Sequence, residues 1–364
     1  MLLLKKHYFN FQGDEKTVKN QIQIRNRKIG ENSPLFIMAE CGVTCNYDIK
    51  ITKDLIDVVH EAGADAIKFI FWFPEEIMSD KSITYTYKTV EGIKSENMYE
   101  MLNKLRFTLD QWYEIKEYAD RKDVVMFATV NSPSGVEYAE KIGLEAYKLS
   151  SWDYNYFPLW QKIAAIGKPM LMDTGPVNTL EVTKVMQLMK DMGNQLSVLI
   201  HCFHSDKYPE MNMRTIPYLK QAFNSIVGYS SKDQDDETDI MAVTLGAVVL
   251  EKRLTLSRNL PGHHHVISKE PEEFREYVKL IRNVHQALGD FSLKPSPADR
   301  EERKGGFRHL VANQDIPKGR KLTLDMLEGK RPENGISPEY INFFVGREIK
   351  RDLKYNQAIS WDDV

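Results

Sequence analysis

Side chains that could do chemistry recur in this chain at the ends of short apolar runs. They are Glu40, Lys68, Thr129, Lys148 with Ser151, Asp173 with Thr174, His201, Ser230 with Lys232, and Glu251 with Arg253. Lysines and hydroxyls on rigid strand ends suit the binding of a phosphorylated anion. Carboxylates in the same place could bind hydroxyls or transfer protons. The pattern predicts an anion-binding site with acid–base groups beside it.

These residues need a scaffold that brings the ends of separate segments together. The apolar runs that carry them cover residues 35–40, 66–71, 124–130, 146–150, 169–174, 197–202, 225–230 and 248–255. Segments with helical periodicity, about ten or more residues long, separate most of the runs. Strand and helix repeated in this way predict a closed parallel (β/α)₈ barrel, a TIM barrel of the α/β class, with its catalytic groups at the C-terminal strand ends.

The composition indicates a soluble globular protein without nucleic acid or membrane as partner. The chain has 364 residues, of which 42% are hydrophobic and 28% charged, and its formal net charge is -3. The three cysteines Cys41, Cys45 and Cys202 are too few for a disulfide framework and suit a reducing compartment. The first apolar stretch is too short for a secretory signal, and no run could span a bilayer. We predict a cytoplasmic protein.

The length predicts one large and one small domain. Residues 1–34 are interpreted as an N-terminal extension, in which the alternation at 21–29 predicts a hairpin that could plug the barrel floor. Residues 35–290 form the barrel domain, and 291–306, with Lys294-Pro295-Ser296-Pro297, are interpreted as a linker. Short strands and turns over 307–364 predict a small α+β module.

Several motifs, in order and at matching spacings, resemble the sialic acid synthase family. They are Ala39-Glu40-Cys41-Gly42, Tyr147-Lys148-Leu149-Ser150-Ser151, Gly167-Lys168-Pro169 with Thr174-Gly175, His201-Cys202, Pro261-Gly262 and Arg331-Pro332-Glu333-Asn334-Gly335-Ile336. The resemblance implies a TIM barrel that condenses phosphoenolpyruvate with an amino-sugar aldehyde, followed by a C-terminal antifreeze-like (SAF) domain. It also implies a homodimer in which each SAF domain covers the partner's barrel.

The resemblance also assigns residues to the two substrates. The positions for phosphoenolpyruvate are Lys68, Thr129, Lys148, Ser151 and Ser230. The other substrate-binding positions are Asp153, Asp173, His204, His264 and Arg331. Glu40 and Glu251, at the ends of the first and eighth strands, become neighbours when the barrel closes. This pair could bind acceptor hydroxyls or assist proton transfer, or it could form buried salt bridges with Lys68 or Arg253.

The family holds a divalent metal with two histidines, and both are replaced in this chain. The family's Ser-Asp-His and Glu-x-His read Ser230-Ser231-Lys232 and Glu251-Lys252-Arg253 here. An ammonium and a guanidinium offer no lone pair to a metal and repel it. We therefore expect neither the family metal nor another cofactor. The catalytic set is then Glu40, Lys232, Glu251 and Arg253, with the two cations in the place of the Lewis acid.

Three other groups of residues contain types that can bind a metal. His263, His264 and His265 are adjacent in sequence, so at most two of them could face one ion. Cys41 and Cys45 lie near the first strand end, where buried free thiols are favoured over ligands. The acidic loop at 233–239 is interpreted as a solvated turn.

The residues expected to face the acceptor also differ from the family's. Instead of the polar Phe-Gln-Thr after the first lysine, Lys68 is followed by Phe69-Ile70-Phe71-Trp72-Phe73. The lost glutamine and added bulk argue against the usual N-acetylmannosamine. The long excursion from Pro74 to Met98 is a βα loop of the kind that usually carries function.

The sequence thus predicts a synthase that condenses phosphoenolpyruvate with a sugar-like aldehyde to a 3-deoxy-2-keto acid, a sialic acid-like nonulosonic acid. Two alternatives stay open. One is different carbon–carbon or phosphate chemistry on the same scaffold. The other is a non-catalytic binding homologue, although retention of the whole phosphate-binding set argues against it.

Overall fold

The structure, a computed structural model, describes residues 21–203, 205, 207–231, 235–290 and 292–364. Its strands, in chain order, are β1 (Gln21–Ile24), β2 (Arg27–Gly30), β3 (Phe36–Glu40), β4 (Ala66–Phe71), β5 (Thr84–Thr89), β6 (Gly92–Asn97), β7 (Val125–Val130), β8 (Tyr147–Leu149), β9 (Met170–Asp173), β10 (Ser197–Cys202), β11 (Ile226–Ser230), β12 (Val249–Arg253), β13 (His309–Ala312) and β14 (Leu327–Lys330). The chain divides into two compact units, which meet in sequence at Gly289 and Asp290.

Eight parallel strands of the first unit close into the predicted barrel. Their order around the barrel is β3, β4, β7, β8, β9, β10, β11 and β12, and β12 pairs with β3 to complete the ring. The register sets Glu40 opposite Lys68 on one side and opposite Arg253 on the other. Because the first and last strands of the barrel pair with each other, charged residues that are far apart in sequence lie side by side.

The hairpin of β1 and β2 forms the floor of this barrel. The two strands pair antiparallel. Ile22, Ile24 and Ile29 are buried in one apolar cluster with inward residues of the barrel strands, including Phe36 and Phe127. The predicted hairpin and its position are confirmed, because alternation put three isoleucines on one face that only the barrel interior can bury.

Most of the helices belong to the barrel unit, and the last two along the chain belong to the second unit. They are α1 (Ile49–Ala62), α2 (Pro74–Ile77), α3 (Met98–Lys104), α4 (Leu109–Arg121), α5 (Pro133–Lys141), α6 (Phe157–Ile166), α7 (Thr179–Asp191), α8 (Tyr208–Met211), α9 (Thr215–Phe223), α10 (Glu237–Thr244), α11 (Pro271–Ala287), α12 (Pro297–Gly306) and α13 (Ile341–Phe344). The Asp48 side chain caps the start of α1, and Gly63 ends it in the left-handed region at φ 71°. In the part of the chain that is described, no helix combines the length and apolarity needed to cross a membrane.

The long excursion after β4 contains a second hairpin, built from β5 and β6. Tyr87, Met101 and Leu102 form a small buried cluster beneath it, against which Trp72 and Tyr85 pack. This satellite core ties the hairpin to the end of β4, so the excursion is an ordered part of the barrel mouth.

The second unit, Asp290–Val364, has its own small apolar core. β13 and β14 pair antiparallel, and Leu310 and Phe344 are fully buried. The stretch interpreted as a linker contains α12, because a capping box between Ser296 and Asp299 starts a helix there. None of the residues of α12 is buried.

Candidate active site

Two lysines and one glutamate occupy the centre of the barrel mouth. Lys68 Nζ lies 3.1 Å from Glu251 Oε1, and Lys148 Nζ lies 2.5 Å from Glu251 Oε2. The Ser230 hydroxyl donates a hydrogen bond to Glu251 Oε1 at 3.1 Å. A carboxylate held by two ammonium groups and a hydroxyl identifies this point as one that binds negative charge.

Burial and close charges set the protonation states of this centre. Burial opposes the charge of Lys148, but the carboxylates of Asp173, at 2.8 Å, and Glu251 outweigh it and hold the pKa of Lys148 above its ordinary value. Burial also opposes ionisation of Glu251, yet Lys148 and Lys68 hold the Glu251 pKa well below its ordinary value. Burial raises the pKa of Asp173, an effect that Lys148 opposes and Glu251 reinforces. Glu251 is therefore ionised at neutral pH.

Glu40 connects the lysine centre to Arg253. Its Oε1 lies 3.6 Å from Lys68 Nζ, and its Oε2 lies 3.8 Å from Arg253 Nε. Oε1 also accepts a hydrogen bond from the Gly42 backbone N–H at 2.7 Å. A Cβ at position 42 would lie 2.6 Å from that same oxygen, which explains the glycine in the Ala39-Glu40-Cys41-Gly42 motif. The structure thus shows the salt bridges that the sequence left as one of two interpretations for the glutamate pair.

Two hydroxyl residues lie on the strand ends beside Lys148. Thr129 on β7 is the register partner of Lys148 on β8. Ser151 starts a short 3₁₀ turn, Ser151–Asp153, that directly follows β8. Both side chains are buried, at 6% exposure. The predicted set of two lysines and three hydroxyls therefore comes from β4, β7, β8 and β11 around one opening.

Several buried polar atoms at these strand ends lack a hydrogen-bond partner. They are Glu40 Oε2, Asn131 Oδ1, Tyr154 Oη, Asp173 Oδ1 and Arg253 Nε. Asp173 Oδ1 is nevertheless ion-paired with Lys148, and Glu40 Oε2 with Arg253 Nε at 3.8 Å, which leaves Asn131 Oδ1 and Tyr154 Oη without either kind of partner. Buried polar groups are nearly always satisfied in folded proteins, so unsatisfied ones that gather in one place indicate a site for a polar ligand.

Asp153, one of the predicted substrate-binding residues, has a strongly shifted pKa. Burial alone raises its pKa to about 7. Because the unfolded value is about 4, the folded protein binds this proton more tightly than the unfolded chain, and stability falls as the pH rises through that interval.

Replacing Asp153 with asparagine should therefore raise thermal stability at alkaline pH and not at acidic pH. We expect the melting temperature of Asp153→Asn to exceed that of the wild type by roughly 1–3 °C near pH 8, with the gain shrinking as the pH falls and gone below about pH 4. Differential scanning fluorimetry across this range measures it. A gain that does not change with pH would show that Asp153 does not titrate as described.

The structure says less about the remaining predicted residues. His204 and Lys232 lie outside the described residues. The His264 ring contacts that of His263 at a centroid distance of 4.8 Å, and its backbone is left-handed, with φ 71°. Arg331 is exposed in the second unit, directly after β14.

The described residues do not fit the metal that the family resemblance implies. At one ligand position Arg253 Nη1 donates to the Ser231 carbonyl at 3.1 Å, and a guanidinium has no lone pair for an ion. His265 is engaged through both ring nitrogens, with Thr255 Oγ1 at 2.7 Å and Asn46 Oδ1 at 3.0 Å. The chain from 21 to 364, outside its undescribed positions, contains no group of three or more His, Cys, Asp or Glu side chains arranged to hold a metal.

The two thiols near β3 are also unsuited to metal binding. Cys41 and Cys45 are fully buried, and burial raises the pKa of both, that of Cys45 to about 12. Cys41 Sγ donates to the Leu254 carbonyl at 3.8 Å, and among the described residues neither thiol belongs to a group of three or more possible metal ligands.

The interpretation of the acidic loop as a solvated turn is wrong for its last residue. Asp239 is 0% exposed and lies 2.7 Å from Lys252 Nζ. Lys252 lies between Glu251 and Arg253, so strand alternation turns its side chain away from the barrel interior. Because this ammonium group is buried beneath the surrounding helices, it needs a carboxylate partner, and Asp239 supplies it.

Sequence reasoning missed two residues of the unsatisfied set, Asn131 and Tyr154. Asn131 lies two residues after Thr129, so alternation along the extended chain gave a usable signal for it. Tyr154 follows the 3₁₀ turn, and its buried hydroxyl is close enough to Asp173 for that charge to raise its pKa further. No local sequence pattern predicts a contact of this kind.

Comparisons with known proteins agree with this architecture. Residues 55–292 match the NeuB family, and residues 307–364 match the SAF domain. The chain is 34% identical to an uncharacterised protein of Methanocaldococcus jannaschii, over 94% of this chain and 98% of that protein. It is 30% identical to the N,N'-diacetyllegionaminic acid synthase of Campylobacter jejuni, over 89% of this chain and 98% of that enzyme.

A solved structure is similar as well. The N-acetylneuraminic acid (sialic acid) synthetase of Leptospira borgpetersenii, crystallised with citrate, superposes with a TM-score of 0.70 at 27% identity. The match covers 78% of this chain and 94% of that one. The predicted fold, a TIM barrel followed by a SAF domain, is confirmed.

Proposed function

We propose that this protein, which belongs to the NeuB family and is a sialic acid synthase-like enzyme, condenses phosphoenolpyruvate with an aldehyde sugar. The products are a 3-deoxy-2-keto acid of the nonulosonic type and inorganic phosphate. A water oxygen adds to C2 of phosphoenolpyruvate, C3 forms a bond to the aldehyde carbon, and the bond from C2 to the phosphate oxygen breaks.

The observation that carries this proposal is the pair of salt bridges from Lys68 and Lys148 to the Glu251 carboxylate. Two ammonium groups and the Ser230 hydroxyl converge on two carboxylate oxygens. A phosphate or carboxylate group of phosphoenolpyruvate presents the same kind of acceptor to the same donors. Thr129 and Ser151 supply further hydroxyls at the neighbouring strand ends.

Phosphoenolpyruvate would then displace Glu251 from the two lysines. A buried carboxylate that has lost two cations has a higher pKa, because only burial still acts on it. Glu251 thereby changes from a fixed counter-ion into a group that can take a proton from the attacking water. Glu40, held between Lys68 and Arg253, is the second carboxylate available for proton transfer or for an acceptor hydroxyl.

On the acceptor side we assign Arg253 and Lys232 the electrostatic role of the family metal. A fixed guanidinium beside Glu40 can stabilise the oxyanion that forms as the aldehyde carbonyl is attacked. Asp153, Asp173, His204, His264 and Arg331 are assigned to substrate binding by resemblance. We further propose a cytoplasmic homodimer in which each C-terminal unit covers the partner's barrel; the three free cysteines suit that compartment.

A thermal shift with phosphoenolpyruvate tests the anion site. Ligand that binds the folded protein alone stabilises it by about 2.7 kcal/mol at a hundredfold excess over its dissociation constant. We expect the melting temperature to rise with phosphoenolpyruvate concentration, and to rise less with pyruvate. The control variant is Lys116→Ala, which removes a buried lysine of α4 that is ion-paired with Asp120 and Glu145 instead of with the barrel-mouth carboxylates. A melting temperature that does not respond would favour an inert homologue.

A further inference from the structure

The loop between β3 and α1 contains two successive non-glycine residues in the left-handed region. Asn46 has a φ of 48° and Tyr47 a φ of 54°. Asparagine tolerates this conformation, but a bulky residue such as tyrosine is an outlier there. Asn46 Oδ1 lies 3.0 Å from His265 Nε2, which holds the first of the two residues. A strained residue persists only when the surrounding contacts fix it, so the contacts of Tyr47 indicate what the strain achieves.

The Tyr47 hydroxyl joins the ends of two neighbouring barrel strands. It donates to the Ile70 carbonyl at 2.5 Å and to the Gly42 carbonyl at 3.1 Å. Ile70 belongs to β4, and Gly42 follows the end of β3 by two residues. The Tyr47 ring packs against Phe107 and Trp112, at centroid distances of 5.1 and 6.2 Å. The side chain is thus held both at its ring and at its hydroxyl.

Gly42 connects this hydroxyl to the carboxylate of Glu40. The Gly42 N–H donates to Glu40 Oε1 at 2.7 Å, while its carbonyl accepts from Tyr47. The ion-pair contacts of Glu40, at 3.6 Å to Lys68 and 3.8 Å to Arg253, are longer than hydrogen bonds. The shorter bond from Gly42 therefore orients the carboxylate. Because glycine has no side chain, Gly42 is held through its backbone, and Tyr47 supplies one of those contacts.

We propose that Tyr47 is a positioning residue, which acts through Gly42 to orient the Glu40 carboxylate for the condensation. This inference rests on the proposed function, in which Glu40 transfers a proton or binds an acceptor hydroxyl. A reacting group must be held within about 0.5 Å of its productive position, and its supporting contacts decide whether it is. Burial raises the pKa of the Tyr47 phenol, so its hydroxyl remains a donor at neutral and alkaline pH.

Tyr47→Phe tests the role of the hydroxyl, because it keeps the ring and its packing. Phosphate release from phosphoenolpyruvate is measured with N-acetylmannosamine or a 2,4-diacetamido-2,4,6-trideoxyhexose, whichever the wild type uses faster. We expect kcat to fall about five- to tenfold, as the loss of one hydrogen bond allows, while the KM for phosphoenolpyruvate stays within about twofold. The matched control is Tyr118→Phe, which removes a hydroxyl that donates to Asp57 between α4 and α1 and should behave as the wild type.

A cycle of single and double variants shows whether Tyr47 acts through Glu40. Glu40→Ala leaves no carboxylate to orient, so adding Tyr47→Phe to it should lower kcat further by less than about twofold. A tyrosine with a purely structural role would lower the rate by the same factor in both backgrounds. Tyr47→Gly adopts the left-handed backbone without strain but has no hydroxyl, and we expect it to be at least as slow as Tyr47→Phe.

The inference and the proposed function fail in different ways. If the wild type releases phosphate with neither sugar, the proposed function is overturned, and the inference with it. If the wild type is active, a wild-type kcat in Tyr47→Phe or Tyr47→Gly overturns the inference alone. Equal losses with and without the Glu40 carboxylate do the same, and so does a rise in the KM for phosphoenolpyruvate as large as the fall in kcat.

Discussion

Phosphoenolpyruvate binding is lost when Lys148 is replaced by alanine, and the folded protein becomes less stable at neutral pH. Lys148 neutralises both Glu251 and Asp173 inside the barrel mouth. A charge-assisted contact contributes about 1.5–3 kcal/mol, so the affinity should fall at least roughly tenfold. Isothermal titration calorimetry measures this fall, and an unchanged dissociation constant would remove Lys148 from the site.

The stability loss in Lys148→Ala should reverse on acidification. In the wild type the pKa of Glu251 is depressed, so its ion pairs contribute stability that is lost only as the pH falls through that low value. Without Lys148, only Lys68 still opposes the effect of burial, so the pKa of both carboxylates rises, and their protonation at acidic pH relieves the repulsion. Removing one partner of a buried pair costs about 3–5 kcal/mol at neutral pH.

The double variant Lys148→Met with Glu251→Gln is the matched control for stability. It removes the cation and the main anion together, so it should recover most of the neutral-pH loss while still failing to bind phosphoenolpyruvate. Lys116→Ala shows what loss of a buried lysine costs elsewhere, because Lys116 pairs with Asp120 and Glu145 on the barrel exterior. A stability loss in Lys148→Ala that does not depend on pH would contradict the charge argument.

Changing both Lys232 and Arg253 to histidine should convert the enzyme into one that responds to divalent metal. The double variant would offer two imidazoles at the family's ligand positions, beside Glu251. We expect it to bind Mn²⁺ or Zn²⁺ measurably by calorimetry and to lose its activity in chelator. Each single variant should be less active than the double, because one cation would remain beside a half-built site.

The wild type is the control for this experiment, and strong chelator should leave its activity unchanged. Activity that disappears in chelator and returns with metal would show that Arg253 and Lys232 do not replace the Lewis acid. The double variant also has a defined failure. If it binds no metal, the positions are not equivalent to the family's ligand pair.

The barrel and most of its charged centre could be predicted from sequence, because each is a local pattern. Apolar runs end on Lys68, Lys148 and Glu251, and the barrel rule places such ends together. The floor hairpin was equally visible, since alternation at 21–29 leaves three isoleucines on one face. These features need only the period of a strand and the order of elements.

What the sequence did not reveal depends on contacts between distant segments. That Glu251 bridges Lys68 and Lys148 follows from the register of β12 with its neighbours and from side-chain reach across the barrel. The contact of Tyr85 with His263 joins residues from two loops whose meeting no local period encodes. The burial of Asp239 could have been predicted. Because the side chains of Glu251 and Arg253 face the barrel interior, that of Lys252 between them must face outward, toward α10.

The most direct test of the central claim is the balance of products formed in chelator. The purified protein is mixed with phosphoenolpyruvate, a 2,4-diacetamido-2,4,6-trideoxyhexose and excess EDTA, and phosphate and 2-keto acid are both quantified. We expect equal molar amounts of the two, with no dependence on added divalent metal. Unconsumed phosphoenolpyruvate, or phosphate released without keto acid, would contradict the proposed condensation; keto acid formed only after metal is added would contradict the role given to Arg253 and Lys232.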